Sequence, residues 1–152
     1  MDKRFQGLQL QQTDALLHPW REARLPVRPL GGWSRAVRGA LGMTATALAR
    51  KLGMTSAGLR KLEASESHDA ITLASLRKLA AALDCELQYA LVPRTTLAQQ
   101  LRNRALHVAS ARLHPVSHSM ALEDQAVHAS AADVQRELLV QELLDGPRRE
   151  LW

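Results

Sequence analysis

The sequence is poor in cysteine, in aromatic residues and in long apolar runs, and each shortage narrows its class. A single cysteine among 152 residues excludes an internal disulfide and fits a reducing compartment. Aromatic residues make up 3% of the chain, and its apolar residues are mainly Leu and Ala, which favour helices over strands. No run of about 18 uncharged apolar residues occurs, and the first residues form no apolar signal core. We therefore expect a mainly α-helical, cytoplasmic protein that is neither secreted nor inserted in a membrane.

Patterns typical of catalytic and metal sites are also missing. The sequence contains no nucleophile elbow, phosphate-binding glycine loop, HExxH motif or convincing acid pair, so we expect no enzyme activity and no cofactor. Cys85 has no neighbouring Cys or His at zinc-site spacing, and we expect it to be a small packed side chain. Because Pro115 lies between His114 and His118, we interpret these histidines as loop residues and predict no metal site.

Positive charge is concentrated in two segments of the chain. The formal net charge is +5, from 20 Lys and Arg against 15 Asp and Glu. Residues 32–63 hold six basic side chains and one acidic one, and residues 94–113 hold four arginines and no acid. Residues 114–152 carry three basic and seven acidic side chains. A polyanionic partner fits the first segment, whereas for the second we favour a solvated face over a second DNA contact.

The turn residues divide the chain into three predicted regions. Residues 1–31 read as a helix broken at Pro19, followed by a linker rich in Pro and Gly. Residues 32–93 show four short helical patterns, capped or ended by Thr and Gly residues. Residues 94–152 predict a basic helix ending at Pro115, a loop, and a last helix whose apolar positions are Val134, Leu138 and Leu144.

The stretch Thr44–Glu63 has the spacing of a helix-turn-helix, in which two short helices cross steeply. Ala49 supplies the small residue at the crossing, and Gly53 supplies the turn residue that tolerates positive φ. The remaining anchors of the angle are apolar and are expected to point inward. They are Leu48, Leu52, Met54, Leu59 and Leu62.

On these residues, Trp33–Leu83 resembles the XRE (Cro/repressor) helix-turn-helix family. The resemblance implies a five-helix domain whose second motif helix enters the major groove of double-stranded operator DNA. It implies that this helix begins at Thr55 and meets bases or phosphates with Ser56, Ala57, Arg60 and Lys61. Arg60 is the candidate for base readout, because arginine binds guanine O6 and N7 bidentately.

Further positions carry over from the same family. Thr44 joins the predicted DNA-binding set, and Arg38, Arg50 and Lys61 are assigned to phosphates. Arg38 and Glu63 match a structural ion pair of the family. Two positions depart from its pattern, since Ala45 stands where many relatives have glutamine and Gly58 lies inside the recognition helix.

The segment Cys85–Pro93 alternates apolar and polar residues, which predicts the one short β-strand of the chain. Leu87, Tyr89 and Leu91 form its apolar face. A single strand cannot satisfy its own backbone groups, so the simplest partner is its copy in a second chain. This pattern predicts a two-fold homodimer.

A second resemblance covers most of the chain. The opening Gly-Trp-Ser-Arg-Ala-Val-Arg, the segments Ile71–Leu76, Cys85–Arg94 and Met120–Val127, and the terminal Leu-Trp together resemble mobile mystery protein A. That resemblance implies an autorepressing, antitoxin-like regulator with a Fic-domain toxin as partner. The alternative is an antitoxin that neutralises a toxin through its C-terminal helices, with DNA binding secondary. The glutamate motif of Fic inhibitors is absent, which disfavours direct inhibition by that route.

Overall fold

The computed structural model describes residues 2–120 and 128–152, and these form seven α-helices and one short 3₁₀ helix. They group into two compact units. The central unit is Leu25–Ala90, and the flanking unit combines Met1–Arg24 with Leu91–Trp152. The flanking unit is therefore built from both ends of the chain.

The central unit holds four helices, one fewer than the five that the XRE resemblance implies. They are α2 (Trp33–Ala40), α3 (Ala45–Lys51), α4 (Ser56–Ser67) and α5 (Leu73–Ala82). Threonines begin three of them, as the sequence predicts. The hydroxyl oxygens of Thr44, Thr55 and Thr72 accept hydrogen bonds from the backbone N–H three residues later, at 3.0–3.1 Å.

All four helices of the central unit end in the same way. A left-handed residue follows each, namely Gly42, Gly53, Asp69 and Asp84, with φ between +55° and +66°. The next N–H then bonds back to a carbonyl five residues earlier, as in Met54 N to Ala49 O at 2.9 Å. Between α3 and α4 this reversal is made by Gly53, where an L side chain would be strained. The turn of the helix-turn-helix is thus fixed by local chemistry.

The core of the central unit is formed by a few fully buried residues around the α3–α4 crossing. They are Leu48, Ala49, Leu59, Leu79 and Leu83. Ala49 is only 1% exposed, which fits its predicted place at the crossing. Leu52 and Leu62 pack against this core, but Met54, predicted as an anchor, is 37% exposed. Apolar burial around α3 and α4 is what holds the second motif helix in position.

The predicted linker before α2 is tied to the end of α4. Arg28 donates to the backbone carbonyls of Glu66 (2.7 Å) and Ser67 (3.2 Å) and to the carboxylate of Asp69 (2.7 Å). The Glu66 carboxylate in turn accepts from Trp33 N at 2.6 Å and from Ser34 N at 3.1 Å. Helix α2 therefore begins on a buried carboxylate of α4.

The flanking unit consists of α1 (Lys3–Ala23), α6 (Leu97–Met120), α7 (His128–Asp145) and the 3₁₀ helix Arg148–Leu151. Its buried core is small and is made of Ala105, Ala109, Val140, Leu143 and Leu151. Two alanines one turn apart on α6 allow α7 to pack closely. The Asp14 carboxylate of α1 accepts from Leu97 N at 2.6 Å and Ala98 N at 3.1 Å, so it caps α6 from a distant part of the sequence.

The β-strand prediction is wrong, because the described part of the chain contains no strand. Residues 85–93, with Leu87, Tyr89 and Leu91, have no regular secondary structure. A strand exists only through ladder bonds to a neighbour, and no second extended segment offers them here. Instead, the Tyr89 ring lies under the Arg77 guanidinium of α5, 5.9 Å from centroid to carbon. Side-chain packing on a helix takes the place of strand pairing.

Both predicted proline breaks are also wrong, since α1 continues past Pro19 and α6 past Pro115. A proline removes one backbone donor but leaves most helical bonds intact. Beyond Pro19, Trp20 and Arg21 are half-buried, so the last turn of α1 is held by packing. The backbone at His118 is helical rather than loop, but the side chain of His118 lies outside the described residues, as do 121–127 of the Met120–Val127 motif.

The apolar residues predicted for α7 divide between the surface and the core, and the predicted burial of Cys85 is wrong. Val134 is 59% and Leu138 66% exposed, whereas Leu144 packs against the core that Val140 and Leu143 form with α6. Apolar residues occur around the whole of α7, so periodicity alone does not choose between its faces. Cys85 is exposed.

Among the described residues, no helix is long and apolar enough to cross a bilayer.

Candidate nucleic-acid interface

Helix α4 separates its residues sharply between a buried and an exposed face. Leu59, Glu63 and Glu66 are buried. The side turned to solvent carries two cations and otherwise small residues or a terminal histidine. Its members are Ala57, Gly58, Arg60, Lys61, Ala64 and His68. At 100° per residue these positions span about 160° of the helix surface, which leaves one full side of the rod open to a ligand.

Both carboxylates of α4 are turned away from this open face. Glu63 is 5% exposed and Glu66 is 2% exposed. Each has a specific partner in the interior, Glu63 in Arg38 and Glu66 in the start of α2. The exposed face of α4 therefore presents positive charge without a negative side chain of the same helix beside it. Such a face attracts a polyanion such as DNA.

The Arg38–Glu63 pair is a two-point contact between α2 and α4. Arg38 Nε donates to Glu63 Oε1 at 2.6 Å, and Nη2 donates to Oε2 at 3.1 Å. A third bond runs from Nη1 to the Met43 carbonyl at 3.0 Å. The hydrogen bond to Glu63 is the main cause that raises the pKa of Arg38 above its usual value. These three bonds use three of the five N–H donors of Arg38 and orient α4 on α2.

The predicted phosphate and base contacts Arg50, Arg60 and Lys61 are all exposed. In the described part of the chain none of the three forms an ion pair. Arg50 lies in the last turn of α3, while Arg60 and Lys61 lie one turn into α4. Their charge is therefore available to an external anion.

The predicted contacts at the helix starts have a structural task as well. Thr44 and Thr55 are exposed, and the oxygen of each accepts a capping bond from its own helix. Ser56 is half-buried, and Ala57 is exposed. A threonine hydroxyl that accepts a capping bond still has its O–H to donate, so these two positions can serve both the helix and a phosphate.

The unexpected glycine of the recognition helix has a local explanation. A Cβ built on Gly58 would lie 3.2 Å from the hydroxyl oxygen of Thr55. Because Gly58 N is also the donor to that oxygen, a larger residue here crowds the cap it depends on. The glycine therefore protects the start of α4.

The second basic segment of the sequence has a different environment, inside the flanking unit. Arg102 Nη2 lies 2.6 Å from Glu137 Oε1, and Arg112 Nη2 lies 3.8 Å from Glu150 Oε2. Arg104 donates to the Leu151 carbonyl, and its guanidinium lies 5.8 Å from the centroid of the Trp152 ring. The arginines of α6 are therefore partnered by the acidic C-terminal part of the chain, and α6 offers a weaker case for DNA contact than α4 does.

Sequence reasoning missed two residues on which the site depends. Glu66 and Arg28 join α2, the preceding segment and the end of α4, and both act over more than 30 residues of sequence. The only signal in the sequence is an acidic residue in an otherwise basic region, and it does not indicate which residue the carboxylate contacts. Cβ atoms at Gly32 would approach the Glu66 carboxyl carbon to 2.8 Å, so the glycine before Trp33 belongs to the same arrangement.

The described residues contain no group of three or more His, Cys, Asp and Glu placed to hold a metal ion. The side chains that the exposed face presents are cations, hydroxyls and small apolar groups.

Comparison with known proteins adds a family to this geometry. A family model described as Helix-turn-helix matches residues 35–89, a little over a third of the chain. Searches of curated proteins and of solved structures found no match. None of these comparisons links the chain to mobile mystery protein A or to Fic-domain proteins. Such a domain is typical of non-enzymatic regulators and suggests sequence-specific DNA binding. Residues 35–89 form an XRE-type helix-turn-helix domain.

Proposed function

We propose that this chain is a transcriptional regulator that binds operator DNA by inserting α4 into the major groove. The observation that carries the proposal is the charge on the exposed face of α4. Arg60 and Lys61 are exposed there and form no ion pair with a described residue, while Glu63 and Glu66 are buried. Arg60 reads bases, and Arg50 and Lys61 hold phosphates. The location that fits this function is the cytoplasm, at the nucleoid.

The test compares two neighbouring cations of the same helix. Replacing Arg60 with Ala should relax sequence preference and cost about 1–3 kcal/mol of binding to the preferred site. Replacing Lys61 with Ala should weaken all sequences equally and lower the salt slope by about one. Gel-shift titrations of the full chain on its own promoter, at two salt concentrations, measure both quantities. An equal loss on all sequences for both variants contradicts the division of roles, and no DNA binding by the parent chain contradicts the proposal itself.

The proposal includes a homodimer on a two-fold operator, with half-sites about 34 Å or a multiple apart. Its support is general: one short helix in one major groove buries little surface, and a second copy doubles it. The alternation at residues 85–93 no longer supports it, since that segment forms no strand. Light scattering of the free chain and of the complex decides the stoichiometry, and one chain per palindromic site would contradict the dimer.

The finer proposal of an autorepressing antitoxin beside a Fic-domain toxin rests on the sequence resemblance alone. An alternative function is favoured by a separate observation in the flanking unit. Exposed apolar side chains occur there on α1 and on α7. They are Phe5, Leu8 and Leu16 on α1 and Val134 and Leu138 on α7. Surfaces of this kind are typical of protein-binding sites, which supports an antitoxin that binds a toxin through its helices.

A single pair of variants separates these roles. The full chain with Leu138→Asp should lose co-purification with the protein encoded beside it and keep its operator affinity. The full chain with Arg60→Ala should do the reverse. If neither variant changes co-purification, the toxin-binding proposal fails and the regulator proposal stands on its DNA data alone.

A further inference from the structure

The open face of α4 contains too few kinds of chemical group to read all four bases. Adenine is read by the amide of Asn or Gln, and cytosine by a carboxylate that accepts from its amino group. Helix α4 contains neither Asn nor Gln, and its two carboxylates are buried at 5% and 2% exposure. The groups left near its first two turns are the Arg60 and Lys61 donors, the Ala57 methyl group and the Thr55 and Ser56 hydroxyls. A hydroxyl can both donate and accept, so it contacts any base and selects none.

Each remaining group has one preferred base edge. Arginine donates two parallel bonds to guanine O6 and N7, and an exposed alanine methyl packs against the C5-methyl of thymine. Ala57 and Arg60 are separated by three residues, so they lie one above the other on the helix and can meet neighbouring base pairs. His68 is also exposed on this side, but it lies about 16 Å along the helix axis from Ala57. In this motif the residues that contact base edges lie near the N-terminus of the recognition helix.

We infer that α4 reads its half-site through guanine and thymine alone, with Arg60 on a guanine edge and Ala57 on a thymine methyl. This inference rests on the proposed function, and it specifies the DNA that function requires. Hydrogen bonds specific to adenine or cytosine make no contribution from this helix. Thr55 at its start is assigned to the backbone: its oxygen accepts the capping bond from Gly58 N at 3.0 Å, and its O–H remains to donate to a phosphate.

The experiment begins with selection of binding sites from a random DNA library by the full chain. The selected site is then synthesised with single base analogues, and affinities are measured by fluorescence anisotropy. Exchange of guanine for 7-deazaguanine at the key position should weaken binding about 5- to 150-fold, the range for a bidentate contact. Exchange of one thymine for uracil should weaken it about fourfold, the effect of one buried methyl group. Exchange of any adenine for 7-deazaadenine should change it less than twofold.

Two variants connect these effects to Ala57. In Ala57→Gly the loss caused by uracil should disappear, and comparison of the two DNAs on one protein cancels any change in folding. In Ala57→Gln the introduced amide should bring a preference for adenine at that position. Ala131→Gln, at an exposed position of α7, is the matched control and should leave the selected sequence unchanged.

The outcomes separate this inference from the proposed function. A large loss with 7-deazaadenine, or an undiminished uracil effect in Ala57→Gly, overturns the inference while sequence-specific binding remains. Selection that enriches no sequence at all overturns the proposed function, and the inference falls with it.

Discussion

The central and flanking units place similar clusters of basic residues in opposite electrostatic surroundings. Each contains an arginine-rich helical segment, one in residues 32–63 and one in residues 94–113. In the central unit the acids of α4 are buried and the exposed cations have no described ion-pair partner. In the flanking unit the arginines of α6 are matched by α7 and the C-terminal 3₁₀ helix.

The difference shows that a cluster of basic residues does not by itself define a DNA-binding surface. The direction of the nearest acidic side chains decides whether a basic cluster leaves positive charge on the surface. Glu63 and Glu66 satisfy partners in the interior and so leave the surface positive. Glu137 and Glu150 lie at the surface and neutralise the arginines beside them. In an ion pair of this kind the arginine charge is balanced within the protein, so less of it is available to an external anion.

The largest expected effect comes from removing three cations at once from each unit. Arg50, Arg60 and Lys61 changed to Gln should lower the salt slope of DNA binding by about two, because Arg50 and Lys61 hold phosphates. Together with the lost base contact of Arg60, the affinity should fall on the order of 100- to 1000-fold near 0.1 M salt. Arg102, Arg104 and Arg112 changed to Gln should leave the slope within about half a unit of the parent. Equal effects of the two triple variants in anisotropy titrations would contradict the expected difference in DNA binding between the two units.

The next largest effect is a loss of stability, expected when a buried carboxylate rather than an exposed one is removed. Glu66→Ala leaves two backbone N–H groups and the Ser34 hydroxyl without their acceptor, so it should lower the free energy of unfolding by about 2–4 kcal/mol. Glu137→Ala, which breaks an exposed ion pair, should cost far less. Urea titration followed by Trp33 fluorescence, with Trp20 and Trp152 changed to Phe, monitors the central unit. A loss below about 1 kcal/mol for Glu66→Ala would be inconsistent with its capping role.

A smaller effect separates two threonine caps. Thr55 is the only described side-chain cap of α4, whereas α6 begins on both Thr96, which accepts from Gln99 N at 3.0 Å, and the Asp14 carboxylate. Thr55→Ala should therefore cost about 1 kcal/mol, and Thr96→Ala only a few tenths, about 0.3 kcal/mol. Thermal unfolding of both variants tests the order, and equal losses would show that Asp14 contributes nothing to α6.

The smallest effect is a pH dependence in the flanking unit. Its hydrogen bond with Arg102 lowers the pKa of Glu137, so the charged form is favoured in the folded state. The resulting stability is present above the unfolded pKa and is lost as the pH falls below it and through the lowered pKa of the folded state. Since the carboxylate is exposed, the change should be slight. Acid titration of Glu137→Gln beside the parent checks it, and identical curves would show that the pair contributes nothing.

The helix-turn-helix could be predicted from sequence because its signals are local. Thr55 as cap, Gly53 as turn and Ala49 at the crossing all act within a few residues of their partners. The ion pair of Arg38 with Glu63 was expected through the family resemblance, and the structure places both side chains in direct contact. The fit of these residues to DNA stays a prediction.

Predictions that depended on distant partners could not be made in the same way. The alternation at Leu87, Tyr89 and Leu91 describes a surface that would suit a strand, but a strand needs a neighbour that this sequence does not reveal. Pro19 is tolerated because half-buried residues on both sides hold α1 in place. The cap that Glu66 gives α2 depends on a contact across 33 residues, for which one sequence has no signature.

The contact between Asp14 and the start of α6 joins residues 83 positions apart and has a consequence for the order of folding. The central unit is a continuous insertion, so it can fold from residues that are close in sequence, whereas α1 has to wait for a helix made much later. On refolding, Trp33 should reach its native fluorescence before Trp20 does, and the opposite order in stopped-flow traces would exclude this sequence of events. We therefore expect the exposed face of α4 to form while the two segments of the flanking unit are still unjoined.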